Sequence, residues 1–361
     1  MNPFLLDFFS LARGYGLALG FQLCSLYYLL LFIKEHKQRD GFIALAIGAL
    51  TVLSSFTLLN FWLVLFGIVS LTPFLFKQLY PQRRNVIYNF IIAFGLVAVI
   101  WTPVKKLQEG GSLFYGGNAG FYNNTLVSLA KYTGYSHVAT PGIYAALNAF
   151  LTVFLLIVIF AFYFRRWLHT VKNVLLALLL LCCAAIILQH VLLGTLYVID
   201  RTALYLVPLF ILVLCFSLDD LPRNGVVKVL SAGIVVAFGL NFFARANWNK
   251  AALWSFNAPT GEILQMLNEQ GKRSKKVLLL DYPWIFDNVF KKYAATGRYP
   301  WVKIVEKVND QEIVKSDYYV QLSQRLPECS YFPENMEEKF PRKTIVRAFP
   351  GEQVVVYKLN E

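Results

Sequence analysis

The sequence is short of charged residues. Only 15% of its 361 residues are Asp, Glu, Lys or Arg, whereas an average soluble domain contains about 25%. Hydrophobic residues make up 57% of the chain, above the usual fraction of about 45–50%. This composition excludes a disordered chain, a coiled coil and a single soluble globule.

Cysteine and histidine are also scarce, with five and four copies. Four cysteines (Cys24, Cys182, Cys183 and Cys215) fall within apolar runs, and Cys329 stands alone near the C-terminus. No cysteine spacing is typical of a disulfide framework, and the histidines lack the spacing of metal ligands. The sequence also lacks a glycine-rich phosphate loop, so we expect no disulfide-stapled fold, no metal and no cofactor.

Charge is distributed unevenly along the chain. Residues 1–246 carry 17 Lys and Arg but only seven Asp and Glu, whereas residues 247–361 carry 17 and 14. We therefore predict a membrane domain over 1–246 and a soluble domain over 247–361. The sequence pI is about 9.4, but most of the positive excess lies in short loops beside apolar runs. Membrane topology explains that pattern better than nucleic-acid binding does, and we expect no nucleic-acid partner.

Eight apolar segments are candidates for membrane-spanning helices, each of which needs about 20 apolar residues. They are residues 9–33, 41–58, 59–76, 86–103, 142–164, 173–193, 202–218 and 225–243. The second and third segments form one run broken near Asn60, which favours a tight hairpin. The sequence thus predicts a multi-pass α-helical membrane protein of about eight spans, followed by a small C-terminal extracytoplasmic α/β domain.

Lys and Arg residues predict the orientation of these segments. They cluster after the first, third, fifth and seventh segments, and such loops are normally cytoplasmic. The loop 104–141, the turn 194–201 and the C-terminal domain are then expected outside the cytoplasm, in a protein of the inner (plasma) membrane. The first segment would run inwards from almost the first residue without a cleavable signal. We expect either that an upstream piece with an odd number of spans is missing or that a short N-terminal tail is translocated.

The loop 104–141 is rich in Gly, Asn and Tyr. Connections of this length are usually either functional or disordered. We expect a partly ordered cap over the membrane face, with a short helix near 123–132, and an ordinary solvated loop is the alternative. Asn123 also begins a glycosylation triplet, which is a pattern common by chance.

The C-terminal part reads as a small α/β domain. It has helix patterns at 259–271 and 286–297, and strand patterns at 277–281, 303–307, 317–322, 344–349 and 353–359. Residues 350–352 are Pro-Gly-Glu, which predicts a hairpin between the last two strands. Asp281 ends a strand at a position typical of α/β binding sites, although such residues often only cap turns.

Polar residues within apolar segments are costly and are therefore candidates for function. Arg13, Asn60, His190 and the pair Asp200-Arg201 all fall on the predicted outer side. Guanidinium groups near lipid headgroups suit a phosphate, because they bind it through two parallel hydrogen bonds. The alternative is that Arg13 and Arg201 extend to lipid headgroups and that Asp200 simply pairs with Arg201.

Three features resemble one family of membrane enzymes. They are FFSLARGYGLALGF at 8–21 followed by a long apolar segment, DRTALYLVPLF at 200–210 with Arg201 and Pro208, and a terminal outer domain. These features resemble the polytopic glycosyltransferases of the GT-C superfamily, the group that includes the dolichyl-phosphate-mannose-protein mannosyltransferases and the bacterial aminoarabinose transferases.

The resemblance implies a lipid-linked sugar donor with a polyprenyl phosphate leaving group. In that family, cationic and aromatic residues at the outer face hold the donor phosphate. The candidate substrate-binding residues are therefore Arg13, Tyr15, Asn60, His190, Arg201 and Tyr205. The expected partners are the lipid-linked donor, membrane lipids and an acceptor whose class the sequence leaves open.

The general base is not assigned. The family places an acidic residue in its first outer loop, which here would precede Arg13, and Asp7 is the only acidic residue in that part of the sequence. Glu109 and Asp200 are candidates by position alone. The sequence therefore supports two hypotheses, a truncated or divergent glycosyltransferase and a non-enzymatic membrane protein such as a lipid-carrier transporter or an assembly partner.

Overall fold

The computed structural model describes residues 4, 5, 7, 14–80, 86–110, 116–134, 140–164, 171–219, 225–245, 252–305, 316–322, 343–351 and 353–359. The chain divides into two compact units, residues 1–246 and residues 247–361. The first unit is helical, and the second contains a small five-stranded sheet. The chain is therefore mostly helical, with its β structure at the C-terminal end.

The described part of the first unit contains nine α-helices. They are α1 Gly14–Glu35, α2 Gln38–Ser54, α3 Leu59–Leu75, α4 Ile87–Glu109, α5 Val127–Thr133, α6 Pro141–Phe164, α7 Val171–Leu193, α8 Leu206–Asp219 and α9 Gly225–Arg245. Short 3-10 turns at Phe56–Leu58 and Asp200–Ala203 precede α3 and α8. A π-helical turn at Phe121–Leu126 leads into α5.

Six of these helices are long and apolar enough to cross a membrane: α1, α3 with its preceding turn, α4, α6, α7 and α9. Helices α2 and α8 have only 17 and 14 residues. At 1.5 Å per residue they are about 25 and 21 Å long, shorter than the hydrocarbon core of about 30 Å. Among the described residues the structure therefore has six helices of span length, and the prediction of about eight spans is confirmed only in part, because α2 stops at Ser54 and α8 begins only after Asp200–Ala203.

The break between the second and third apolar segments lies at Ser55 rather than near Asn60. Ser55 is extended, with φ −157°, and its hydroxyl is hydrogen-bonded to that of Thr57 at 2.9 Å. Such local side-chain bonds compete with helical geometry. Asn60 instead lies in the first turn of α3, inside the helix.

Helix α2 packs closely against both α1 and α3. A Cβ atom at Gly48 would lie 2.9 Å from Leu65 and 3.0 Å from Trp62, so glycine at this position allows the close approach of α2 and α3. On the other side, Ser25 of α1 donates a hydrogen bond to the carbonyl of Ala44 at 2.8 Å. Small residues and polar side chains of this kind hold helices together in membranes, where apolar contact alone does not distinguish protein from lipid.

Other helices present large apolar side chains to the surroundings. Phe94 and Trp101 of α4 are 77% and 68% exposed, and Phe243 of α9 is 81% exposed. Exposed apolar surface of this extent marks a face that contacts a membrane or another protein. Together with the six long helices, it supports insertion of the first unit into a membrane.

The second unit is a mixed α/β fold. Its elements are α10 Thr260–Ser274, β1 Leu278–Asp281, α11 Asp287–Ala295, β2 Val302–Ile304, β3 Tyr318–Leu322, β4 Thr344–Phe349 and β5 Val354–Lys358. The strand order is β2-β1-β3-β5-β4, in which β1 is parallel to β2 and β3, and β5 is antiparallel to β3 and β4. The predicted helices, strands and final hairpin are thus present, although β2 is shorter than expected and residues 306–315 lie outside the described part.

Gly271 does not end its helix as the sequence suggested. Helix α10 continues to Ser274 and ends at Lys275, which has φ +53°. A Cβ atom at Gly271 would lie 2.8 Å from the Cβ of Trp301, so this glycine permits close packing instead. The core beneath is built from aliphatic and aromatic side chains, including Ile263, Leu267, Leu280, Phe286, Phe290, Val320 and Val356.

Candidate functional site

Five of the six predicted binding residues lie at one end of the helical unit, and Arg13 is outside the described residues. Tyr15 is half-buried near the start of α1, Asn60 is at the start of α3, and His190 is near the end of α7. Arg201 and Tyr205 lie in the segment between α7 and α8. Side-chain contacts between these elements show that the fold brings several of these residues together.

Asn60 forms a reciprocal pair with Gln189. Its Nδ2 donates to Oε1 of Gln189 at 3.0 Å, and Nε2 of Gln189 donates to Oδ1 of Asn60 at 2.6 Å. Asn60 is only 7% exposed. The pair satisfies the hydrogen-bonding groups of two side-chain amides in an apolar interior and links α3 to α7. The amide of Asn60 is therefore occupied by Gln189 rather than open to a ligand.

Tyr205 is buried and attached to α1. Gln22 donates a hydrogen bond from Nε2 to the carbonyl oxygen of Tyr205 at 2.9 Å, and both residues are at most 1% exposed. The Tyr205 hydroxyl lies near Asn60, but it has no hydrogen-bond partner of normal geometry among the described residues. Tyr205 therefore fixes the segment before α8 to the bundle, and its ring is not presented at a surface.

His190 packs onto the segment that follows α7. Its Nδ1 lies 2.6 Å from the carbonyl oxygen of Thr195, and its ring stacks on Tyr197 with centroids 4.1 Å apart. A carbonyl oxygen only accepts hydrogen bonds, so Nδ1 carries the proton in this contact. The imidazole thereby stabilises the turn and has one nitrogen occupied.

Residues 116–134, here called the cap, fold against the same segment. The helix expected near 123–132 is present as Phe121–Leu126 followed by α5. Gly117 and Tyr197 exchange two backbone hydrogen bonds, at 3.1 and 2.9 Å. A Cβ atom at Gly117 would overlap the side chain of Asn124, so only glycine allows this approach.

Two hydroxyl groups of the cap hold the turn that carries Asp200 and Arg201. Thr125 donates from Oγ1 to the carbonyl of Val198 at 2.7 Å, and the Asp200 N–H donates to Oγ of Ser128 at 2.9 Å. Asp200 has φ +49° and is 1% exposed. A buried residue in the left-handed region is costly and persists only where its surroundings fix it, an arrangement that is common at binding sites. Arg201 follows directly and is half-buried.

An apolar groove of about 630 Å³ begins beneath the cap. This cap groove is bounded by α5, α6, α8 and α9, and its lining includes Leu129, Ala146, Phe154, Phe210 and Phe238. Its polar side chains Thr133, Thr140 and Asn241 are near the cap, where Asn241 donates to the Thr133 carbonyl at 3.3 Å. The groove also includes Val207 in the first turn of α8, six positions after Arg201 in the chain.

Sequence reasoning did not find the groove, Thr125 or Ser128. Thr125 was noticed only as part of a glycosylation triplet, and its hydrogen bond to Val198 spans 73 positions in the chain. A local sequence pattern cannot predict a contact between residues so far apart in the chain. The groove likewise arises from four helices that are separated in sequence.

The acidic residues considered earlier have structural partners. Glu109 is exposed and lies 3.9 Å from Lys105 one helical turn away. Asp281 is fully buried at the end of β1 and accepts the N–H of Tyr282 at 2.6 Å, which is a turn-capping contact. Among the described residues, no group of three His, Cys, Asp or Glu could hold a metal ion.

The geometry therefore shows a polar end of the helical unit, a fixed turn with Asp200 and Arg201, and an apolar groove lined in part by α8, the helix that follows this turn. No family model, curated protein or solved structure matches this chain.

Proposed function

We propose that this chain is a glycosyltransferase of the GT-C type, which uses a polyprenyl-phosphate-linked sugar at the outer face of the inner (plasma) membrane. The observation that carries the proposal is the cap groove, which is lined in part by α8, the helix that follows the Asp200–Ala203 turn in the chain. A lipid-phosphate sugar combines a long hydrocarbon chain with an anionic head. The apolar groove matches the hydrocarbon part, and we assign the guanidinium group of Arg201, on the turn that precedes α8 in the chain, to the anionic head.

The proposed reaction is a displacement at the anomeric carbon of the donor. The acceptor hydroxyl oxygen forms a bond to that carbon, the bond between the carbon and the phosphate oxygen breaks, and the hydroxyl proton passes to a general base. Arg201, together with Arg13, stabilises the charge on the departing phosphate. The general base stays unassigned, and Asp200 and Glu109 remain candidates by position.

The proposed orientation places the cap, the Asp200-Arg201 turn and the C-terminal unit outside the cytoplasm. It rests on the Lys and Arg residues in alternate loops of the first unit. The alternative function, a lipid-carrier transporter or assembly partner, requires the same lipid-binding groove but no transfer of sugar.

The first prediction concerns the binding of a fluorescent polyprenyl phosphate to the purified chain in lipid nanodiscs. Arg201→Ala should weaken binding about 10- to 100-fold, because it removes a charge-assisted contact. Ala146→Trp, which fills the cap groove, should weaken binding of the hydrocarbon chain as well. Lys228→Ala and Ala98→Trp are the matched controls, since both positions are exposed on α9 and α4 and neither lines the groove.

Circular dichroism and gel filtration establish that each variant is folded. Unchanged affinity in both Arg201→Ala and Ala146→Trp would refute the site. Binding accompanied by release of polyprenyl phosphate from a polyprenyl-phosphate sugar supports the enzyme, whereas binding without release with any acceptor supports the non-enzymatic alternative.

A further inference from the structure

A second apolar groove lies between the end of α1, helices α3 and α7, and residues 76–80. It has a volume of about 620 Å³. This His36 groove is lined mainly by aliphatic side chains, including Val64, Ile68, Leu71, Ala177, Leu181 and Leu188. Leu71 and Leu188 are 60% and 56% exposed, so the groove is open along its side and accessible to lipid.

The groove is long enough for an extended hydrocarbon chain. It follows α7 from Asn173 to Leu188, which at 1.5 Å per residue is about 22 Å. One leaflet accounts for about half of a 30 Å hydrocarbon core. An occupant would therefore run from the membrane surface near Asn173 past the centre of the bilayer.

The polar end of the groove contains an imidazole nitrogen that lacks a hydrogen bond. His36 follows the last turn of α1 with φ +56°, and its Nδ1 is buried without a hydrogen-bond partner among the described residues. The ring packs edge-on against Tyr80, with centroids 5.3 Å apart. The Tyr80 hydroxyl is already occupied, because it donates to the carbonyl of Phe32 at 3.0 Å. His36 thus places a buried imidazole nitrogen without a hydrogen-bond partner among the described residues at the end of the groove.

Positive charge predominates around this end. Lys34 lies in the last turn of α1, and Lys77 lies in the turn 76–79, part of which lines the groove; both side chains are exposed. The charged residues in 34–40 and 77 are Lys34, Glu35, Lys37, Arg39, Asp40 and Lys77. Glu35 is paired with Lys37 at 2.6 Å, which neutralises one of the two acidic groups. The mouth therefore suits an anionic head and disfavours a cationic one.

We propose that the His36 groove binds one acyl chain of an anionic phospholipid, with the phosphate held near His36, Lys34 and Lys77. The apolar length takes the hydrocarbon, and the basic mouth selects the charge of the head. This site is separate from the cap groove, and the proposal does not depend on the glycosyltransferase activity.

The test compares retention of phosphatidylglycerol and phosphatidylcholine with identical chains by native mass spectrometry of the full chain. Gly67→Phe should block the groove, because a Cβ atom at Gly67 meets no atom within 4 Å and the ring can enter the open space. Gly95→Phe on α4 is the matched control, since its Cβ is equally unobstructed but does not line the groove.

Reversing charge with Lys34→Glu and Lys77→Glu should lower phosphatidylglycerol retention about fivefold per lysine, and Lys228→Glu should not.

Selective retention of phosphatidylglycerol that is lost in Gly67→Phe and in the charge-reversed variant supports the proposal. Equal retention of the two lipids by the unaltered chain would overturn the role of the basic mouth. Phosphatidylglycerol retention that survives both changes would overturn the site itself. Displacement by polyprenyl phosphate at much lower concentration than by phosphatidylglycerol would assign the groove to that lipid and also overturn the proposal. If Gly67→Phe does not fold, the charge-reversed variant alone decides between these outcomes.

Discussion

At the scale of single residues, a polar side chain in an apolar segment has two possible roles, and its partners distinguish them. Asn60 and Gln189 occupy each other through two hydrogen bonds. An unpaired amide would cost free energy in this interior, whereas a reciprocal pair avoids that cost. The pair therefore explains why an amide is tolerated at position 60 without any ligand.

The second prediction follows from this pair. Asn60→Leu should lower the free energy of unfolding by about 1–2 kcal/mol, because it leaves the Gln189 amide unpaired. Adding Gln189→Leu should recover most of the loss, since neither amide of the pair is then left buried without its partner. Asn148→Leu is the control, because its hydrogen bond to Tyr122 is exposed.

Unfolding in mixed micelles of mild detergent and dodecyl sulfate, followed by circular dichroism, measures these differences. A double variant as unstable as Asn60→Leu would mean that the pair contributes in some way other than mutual satisfaction. Unchanged stability of the single variant would mean that water already reaches Gln189.

At the scale of elements, the cap fixes the turn before α8. The cap supplies the backbone of Gly117, the hydroxyl of Thr125 and the hydroxyl of Ser128 to residues 197, 198 and 200. Three contacts over four residues hold Asp200 in its left-handed conformation. Residues 202 and 203 belong to the 3-10 turn Asp200–Ala203, so α8 begins at Leu206, later than its apolar segment.

The third prediction tests that dependence. Gly117→Val should displace Asn124, break the backbone pair with Tyr197 and free the turn at Asp200, because the added side chain occupies the same space. Amide hydrogen exchange in 116–134 and 195–203 should be at least about tenfold faster. Gly134→Ala is the control, since its Cβ has no atom nearer than 3.5 Å.

Mass spectrometry of peptic fragments resolves this exchange by segment. If amide hydrogen exchange became faster in the cap alone and stayed unchanged in residues 195–203, the turn would not depend on the cap. The same experiment on the second unit gives an internal reference, because residues 247–361 form a compact unit distinct from the one that contains the cap.

At the scale of the whole molecule, the two grooves occupy different helix surfaces of the first unit. The cap groove lies among α5, α6, α8 and α9, and the His36 groove lies between α1, α3 and α7. The two proposals therefore assign different lipids to separate grooves, a polyprenyl-phosphate sugar to the cap groove and an anionic phospholipid to the His36 groove. Each groove is therefore tested with its own lipid.

The fourth prediction concerns orientation. A reporter that is active only in the cytoplasm should be silent when fused after Glu361, because the Lys and Arg distribution places the C-terminal unit outside. Fusion of the same reporter in the loop after α3, which carries Lys77, should give a signal. A strong signal from the C-terminal fusion would reverse the proposed topology and place the cap groove on the cytoplasmic side.

The sequence by itself determined the features that depend on local periodicity and composition. The apolar runs of α1, α4, α6 and α7 are continuous, and β3 and β5 are short runs of apolar residues, so each could be predicted without knowledge of its neighbours. Gly297, with φ +65°, ends the region of α11 as expected, because a left-handed residue after a helix favours glycine locally.

Only the tertiary structure decided how those elements use their polar and small residues. Asn60 is hydrogen-bonded to Gln189, which is 129 positions away in the chain. Gly271 allows close packing against Trp301 and does not end α10. The two grooves exist only where several helices leave space between them. Pairing and packing depend on contacts between residues that are far apart in the chain. A chain of 361 residues allows many such contacts, and local sequence patterns do not specify which of them form.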